Sequence, residues 1–183
     1  MEKNEFKVLV ADDDESVRDV VADVINREGF PVEVAVDGTD ALNKILHGHY
    51  HLIITDLKMP GASGLEILKS ALSLDADSSV IIITAYATLQ SALEAVKEGA
   101  YDYVTKPFRL DEMLVTVGNA FKRSQLLEQN RYLLDKLRGV DRSADTLGSL
   151  ERLVKLRETG AIDEEEFSSL KDQILRESEE RKK

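Results

Sequence analysis

The sequence predicts an α/β domain, a (βα)5 doubly wound parallel sheet in the order 2-1-3-4-5, followed by a helical extension and a short helical hairpin. Three observations predict it. Short apolar runs alternate with helical patterns through the first two thirds of the 183 residues. Three of those runs are apolar on both faces, as interior strands of a parallel sheet are. From Phe121 onward strand signals vanish and only helical spacing remains.

The strands read as Lys7–Ala11, Val32–Val36, Leu52–Thr55, Val80–Thr84 and Tyr101–Thr105. The first, third and fourth (KVLVA, LIIT, VIIIT) are the doubly apolar ones. Between strands, Val17, Val20, Val21, Val24 and Ile25 recur at helical spacing, and Gly29 ends that helix. Ala41, Leu42, Ile45 and Leu46 form a second stripe, ended by Gly48. Leu65, Ile67, Leu68, Ala71 and Leu72 form a third, and Leu89, Ala92, Leu93 and Val96 a fourth, ended by Gly99. A fifth helix starts near Leu110, with Asp111 and Glu112 in the first turn where the helix dipole favours acids. Right-handed crossovers then place helices on both faces of the sheet. Among five-stranded doubly wound sheets, 2-1-3-4-5 is the common order, the flavodoxin-like one.

Composition narrows the function. The apolar fraction is 43%, enough for a real core, while a net charge of −11 argues against nucleic acid as a partner. With no cysteine there is no disulfide, thiol nucleophile or cysteine-zinc site. The charged N-terminus is no signal peptide, and no run approaches 18 apolar residues. A soluble cytoplasmic protein is the expectation.

In an open parallel sheet, ligands bind at the carboxyl ends of the strands near the point where strand order reverses. The first strand runs into Asp12, Asp13 and Asp14, and the third into Asp56. The fourth ends at Thr84 and the fifth at Thr105, Lys106 and Pro107. Carboxylates gathered this closely need a compensating cation. Mg²⁺ suits them, being hard and oxygen-seeking. A carboxylate beside Mg²⁺ can attack phosphorus and form an acyl phosphate. The three phosphoryl oxygens then need a metal, an ammonium, a hydroxyl and backbone N–H groups. Lys106 and Thr84 fit the two side-chain roles.

Val8–Asp13 (VLVADD), Asp56–Gly64 (DLKMPGASG), Thr84–Ala85 and Tyr103–Phe108 (YVTKPF) together resemble the receiver domain of bacterial two-component response regulators. The stretch Ile83–Phe108 is most similar to receivers of the enhancer-binding, nitrogen-regulatory type. The resemblance implies that Asp56 is the phosphoacceptor. It implies Mg²⁺ on Asp12, Asp13 and Asp56, with the main-chain carbonyl of Lys58 as a further ligand. Lys106 would pair with the phosphoryl group, and the Thr84 hydroxyl would turn toward it. Tyr103 would swing inward behind Thr84, and small Ala85 would leave room. The Lys106–Pro107 bond would be cis. The donor would be a histidine kinase or histidine phosphotransfer protein of a phosphorelay, and Lys58 and Tyr86 would influence dephosphorylation. The protein would be a signalling switch that assists its own phosphorylation and dephosphorylation, not an enzyme.

Singly, each residue has a plainer reading. Asp14 is the expected cap of the first helix, Thr84 a strand residue and Lys106 a solvated charge. Gly61 and Gly64 read as loop glycines. His47, His49 and His51 read as a polar loop at the opposite pole, not as metal ligands.

The predicted organisation is a receiver over residues 1–122, a helical coiled-coil linker over 123–144 and a small helical module over 145–183. Leu126, Asn130, Leu133 and Leu137 form a heptad seam with one asparagine, suited to a dimer contact. Gly139–Gly148 reads as a break between helices. Leu150, Leu153, Val154 and Leu156 begin a further helix stopped by Gly160, and Asp163 with Glu166 forms a capping box for the next. Leu150–Gly160, Ala161–Phe167 and Lys171–Leu175 resemble the SHOCT module, which is associated with oligomerisation. Such a hairpin buries too little surface to stand alone and needs a docking partner.

Three outputs follow from this organisation. Phosphorylation could switch assembly through the tail, the tail could contact nucleic acid, or the protein could act as a phosphate sink. Residues 144–183 carry 8 basic and 11 acidic side chains, which favours assembly.

Overall fold

The computed structural model describes residues 1–158 and, beyond them, 167–168, 170–172, 174 and 176. The elements are β1 (Val8–Ala11), α1 (Glu15–Arg27), β2 (Val32–Ala35), α2 (Gly38–His47), β3 (Leu52–Asp56), α3 (Gly64–Leu74), β4 (Ser79–Thr84), α4 (Leu89–Lys97), β5 (Asp102–Thr105) and α5 (Leu110–Glu158). All strand pairs are parallel, in the order β2-β1-β3-β4-β5. The predicted (βα)5 architecture is therefore the observed one.

Strand alternation builds two cores, because successive side chains point to opposite faces. Leu9, Ile53, Val80 and Ile82 face one side and pack with Ala41, Ile45, Ile67, Leu68 and Ala95 of α2, α3 and α4. Val8, Val10, Leu52, Ile54, Ile81 and Ile83 face the other and pack with α1 and α5 through Val21, Ile25, Met113 and Val117. β1, β3 and β4 are buried along their whole length, as their doubly apolar sequences require.

Two helices depart from the simplest reading of their stripes. On α1 the buried residues are Arg18, Val21 and Ile25, whereas Val20 is exposed. On α4 the stripe faces water: Leu89, Leu93 and Val96 are exposed and only Ala95 is buried. Gly64 is not in a loop but opens α3, whose N-cap is Ser63 in a capping box with Glu66.

The molecule divides into two units, Met1–Glu128 and Gln129–Lys183. In the first, α5 buries Met113, Val117, Ala120 and Ser124 at helical spacing. The predicted break at Gly139–Gly148 is absent, since α5 runs unbroken to Glu158. The reason is physical: no proline follows Pro107, and a glycine inside a helix costs only about 1 kcal/mol against alanine. In the second unit Leu153 is buried and the Arg157 guanidinium lies 4.4 Å from the centre of the Phe167 ring. The Gly160 stop and the Asp163–Glu166 capping box fall outside the described residues. Among the described residues no helix is long and apolar enough to cross a membrane.

Candidate functional site at the strand ends

Each central strand delivers a polar group to the same edge. Asp12 follows β1, Asp56 and Thr84 are the last residues of β3 and β4, and Lys106 follows β5. Asp12 and Asp56 are 3% and 6% exposed, so both acids are held largely out of water. The Lys106 ammonium bridges them, 2.6 Å from Asp12 Oδ2 and 2.8 Å from Asp56 Oδ1. The remaining oxygens accept backbone hydrogen bonds: Asp12 Oδ1 from the Asp14 N–H at 3.0 Å, Asp56 Oδ2 from the Lys58 N–H at 2.7 Å. Asp14 accepts from the N–H groups of Ser16 and Val17 and caps α1, as predicted.

Two acids and one base leave this cluster with a net negative charge. Burial pushes the Asp12 carboxyl up, more strongly than the Lys106 and Asp14 hydrogen bonds pull it down. Burial works against the Lys106 ammonium, but its bonds to Asp12 and Asp56 prevail and raise it.

Thr84 Oγ1 accepts from the Tyr86 N–H at 3.0 Å, and the Thr84 carbonyl accepts from the Lys106 N–H at 2.8 Å. Thr84 lies one step beyond Ile83, the β4 partner of Asp56. The Lys106–Pro107 bond is cis. The Tyr103 hydroxyl meets Ser91 Oγ on α4 at 2.8 Å. The Lys58 ammonium lies over the Tyr86 ring at 4.6 Å, linking the loops after β3 and β4. Asp13 is exposed and is not gathered with the other two acids. Among the described residues no three His, Cys, Asp or Glu side chains form a ready metal cluster.

The donor set nonetheless fits Mg²⁺. Asp12, Asp56, the exposed Asp13 next in sequence and the Lys58 carbonyl offer only hard oxygen atoms, and two gathered carboxylates against one ammonium leave a negative charge for a cation to balance.

Sequence reasoning misses two residues at this edge. Gly64 approaches the end of β3 so closely that a Cβ would lie 2.4 Å from the Asp56 carbonyl oxygen. Arg18 is buried and donates to the Asp12 carbonyl. Its 3–4 spacing with Val21 and Ile25 is the available signal. At the opposite pole the histidines have structural partners: His49 pairs with Asp75 at 2.8 Å, and His51 Nδ1 accepts from the Lys7 N–H.

Residues 8–118 match the family described as response regulator receiver domain. The chain belongs to that family. It is similar to the transcriptional regulatory protein DltR of Streptococcus agalactiae, 32% identical over 82% of this chain and 67% of that one. It is also similar to the regulatory protein AtoC of Escherichia coli, 34% identical over 69% of this chain but only 28% of the relative. The solved structure of the beryllofluoride-activated NtrC4 receiver domain dimer superposes with a TM-score of 0.61 at 31% identity, covering 64% of this chain and 98% of that one. The match to these receivers thus lies in the region that carries Asp12, Asp56, Thr84 and Lys106.

Proposed function

We propose that this receiver accepts a phosphoryl group on Asp56 from a histidine kinase or histidine phosphotransfer protein, as one step of a phosphorelay. The observation that carries the reading is the Lys106 ammonium held between Asp12 and Asp56 at the carboxyl edge of the sheet. An Asp56 oxygen attacks phosphorus, and the bond from phosphorus to the donor's imidazole nitrogen breaks. The product is an acyl phosphate, and the imidazole leaves neutral or takes a proton from water. Mg²⁺, held by Asp12, Asp13, Asp56 and the Lys58 carbonyl, would neutralise charge on the phosphoryl oxygens. Lys106 contributes its ammonium and Thr84 its hydroxyl to the same oxygens. An apolar groove lined by Val17, Val20, Ala85, Pro107 and Phe108 opens beside Lys106 and gives the donor protein a place to rest.

The output is a change of assembly. Tyr103 links the switch region to α4 through Ser91, and α4 exposes Leu89, Leu93 and Val96. Leu126 and Leu133 of the heptad seam are exposed as well, and Asn130 stands in register between them. The Leu137 side chain falls outside the described residues. The NtrC4 receiver it resembles is a dimer in its beryllofluoride-activated state. In this reading the SHOCT-like segment 145–183 is the assembly piece.

A second reading has a specific observation behind it. DltR is by name a transcriptional regulatory protein, so the charge-based expectation against nucleic acid has no support among the relatives. Small-molecule phosphodonor plus Mg²⁺ tests the whole scheme. One phosphoryl group should appear on the wild type and not on Asp56→Ala by mass measurement. Light scattering should show a larger assembly only for the phosphorylated wild type. Equal labelling would sink the site, and unchanged assembly the output. Salt-sensitive binding of the full chain to DNA would favour the second reading.

A further inference from the structure

Arg18 lies beneath the acidic edge, on the face of α1 that carries Val21 and Ile25 into the core. It is 8% exposed. An arginine stays charged wherever it is placed, so burying it is costly unless its donors are used. Few are. The Nε has no hydrogen-bond partner. Its nearest ion-pair partner is Asp19, 3.8 Å from Nε on a largely exposed side chain. An apolar side chain of similar length would fill this place without the desolvation. What Arg18 does that leucine or methionine could not is donate from Nη1 to the Asp12 main-chain carbonyl at 3.0 Å.

That carbonyl belongs to the peptide joining Asp12 to Asp13. A peptide is planar, so holding its oxygen fixes the rotation of the whole unit from one Cα to the next. On the other side, the Asp12 N–H donates to the Ala35 carbonyl at 3.3 Å. Asp12 is thus held on both sides along the main chain, and its side chain then reaches Lys106 and the Asp14 N–H.

We propose that Arg18 is a positioning residue for the acidic site: it fixes the Asp12–Asp13 peptide from below and so sets the aim of the two acids that the receiver offers to Mg²⁺. This rests on the Mg²⁺ reading of the pocket. Partners behind metal ligands typically carry a tenfold to hundredfold share of metal affinity.

The sign of the effect separates positioning from a bare charge. Removing a nearby positive charge should by itself tighten Mg²⁺ binding. Removing a positioning contact should weaken it. The test uses the full chain, with Arg18→Met to keep the volume and Arg18→Lys to keep a donor within reach. Calorimetry with Mg²⁺, run below both melting temperatures, should show Arg18→Met binding roughly tenfold or more weakly. Arg18→Lys should recover most of the loss. In metal-free protein, amide exchange at Asp14 should speed up in Arg18→Met, because that N–H reports where Asp12 Oδ1 stands. Equal or tighter Mg²⁺ binding by Arg18→Met, with unchanged Asp14 exchange, would overturn the inference. If the wild type itself binds no Mg²⁺, the reading of the pocket falls and Asp14 exchange alone decides Arg18. If Arg18→Met does not fold, the wild-type guanidinium decides. Slow exchange of an Nη proton, with a coupling across the bond to the Asp12 carbonyl, supports the contact; exchange as fast as an exposed arginine removes it.

Discussion

The hydroxyl of Tyr103 meets that of Ser91 at 2.8 Å, tying β5 to the first turn of α4. Ser91 Oγ also contacts the N–H, carbonyl and hydroxyl of Thr88, the N-cap of α4. One hydroxyl has one proton and two lone pairs, so it cannot satisfy four partners at once. Tyr103 and the cap therefore compete for Ser91. Ser91→Ala should free Tyr103 and move its ring carbon shifts away from the wild-type values. Ser91→Ala and Tyr103→Phe should each cost about 1 kcal/mol, and their effects should not add, because both remove the same bond. Additive losses in a double-mutant cycle would show that the contact does not couple strand to helix.

The burial of Asp12 costs stability at neutral pH. Its folded-state carboxyl is raised, with burial as the leading cause. The folded chain then holds the Asp12 proton more tightly than the unfolded chain does. In metal-free protein, stability falls as pH rises from the ordinary carboxyl value of 3.8 through the raised one, and the loss persists at neutral pH. The Asp12→Asn side chain cannot ionise and keeps an acceptor for the Asp14 N–H. That variant should therefore have the higher urea midpoint at neutral pH, with the advantage shrinking as pH falls through the raised value and gone below 3.8. A lower midpoint at neutral pH would mean that the Lys106 pair outweighs the burial.

Gly64 is a steric position. A Cβ there would meet the Asp56 carbonyl oxygen at 2.4 Å and the Leu57 Cα at 3.0 Å, both main-chain atoms. Gly64→Ala should cost about 1–3 kcal/mol by overpacking. It should also slow labelling of Asp56, since the strand end must shift. Gly118 on α5 is the control, with nothing within 4 Å of an added Cβ. Gly118→Ala should gain up to about 1 kcal/mol from helix propensity and leave labelling unchanged.

These residues also show where the sequence is informative. KVLVA, LIIT and VIIIT are apolar at nearly every position, and only burial on two faces explains that, so sheet and helix layers follow. Asp12, Asp56 and Lys106 are legible because each directly ends or follows a strand run. Periodicity, by contrast, gives a stripe without saying which side meets the core. On α4 the three large residues lie in water, and the contact with the sheet is made by Ala95. Arg18 escapes notice for the same reason, as a charge beside a valine stripe. Composition suggests a linker at Gly139–Gly148, yet glycine only weakens a helix and does not by itself end one.

At the far pole of the sheet, His51 sets an acid response. His51 Nδ1 accepts from the Lys7 N–H at 3.1 Å, which requires that nitrogen to be unprotonated. Its ring stacks on Phe6 at 5.4 Å and meets His49 edge-on at 4.7 Å. Burial first, and the neighbouring His49 second, push the His51 imidazole below its usual 6.5, against the pull of Asp75 and Glu128. A lowered folded-state value means that the stabilisation is complete above pH 6.5 and is lost as pH falls through the folded value. Protonated His51 would turn a donor toward the Lys7 N–H and forfeit that bond, worth about 1 kcal/mol. The His51→Asn side chain would keep an acceptor near the same place and never titrate. Urea midpoints measured across this range should fall more steeply for the wild type than for that variant, and the His51 ring protons should titrate below 6.5. Parallel curves, or a ring titration at the ordinary value, would show that the Lys7 contact does not govern the acid response of this end of the sheet.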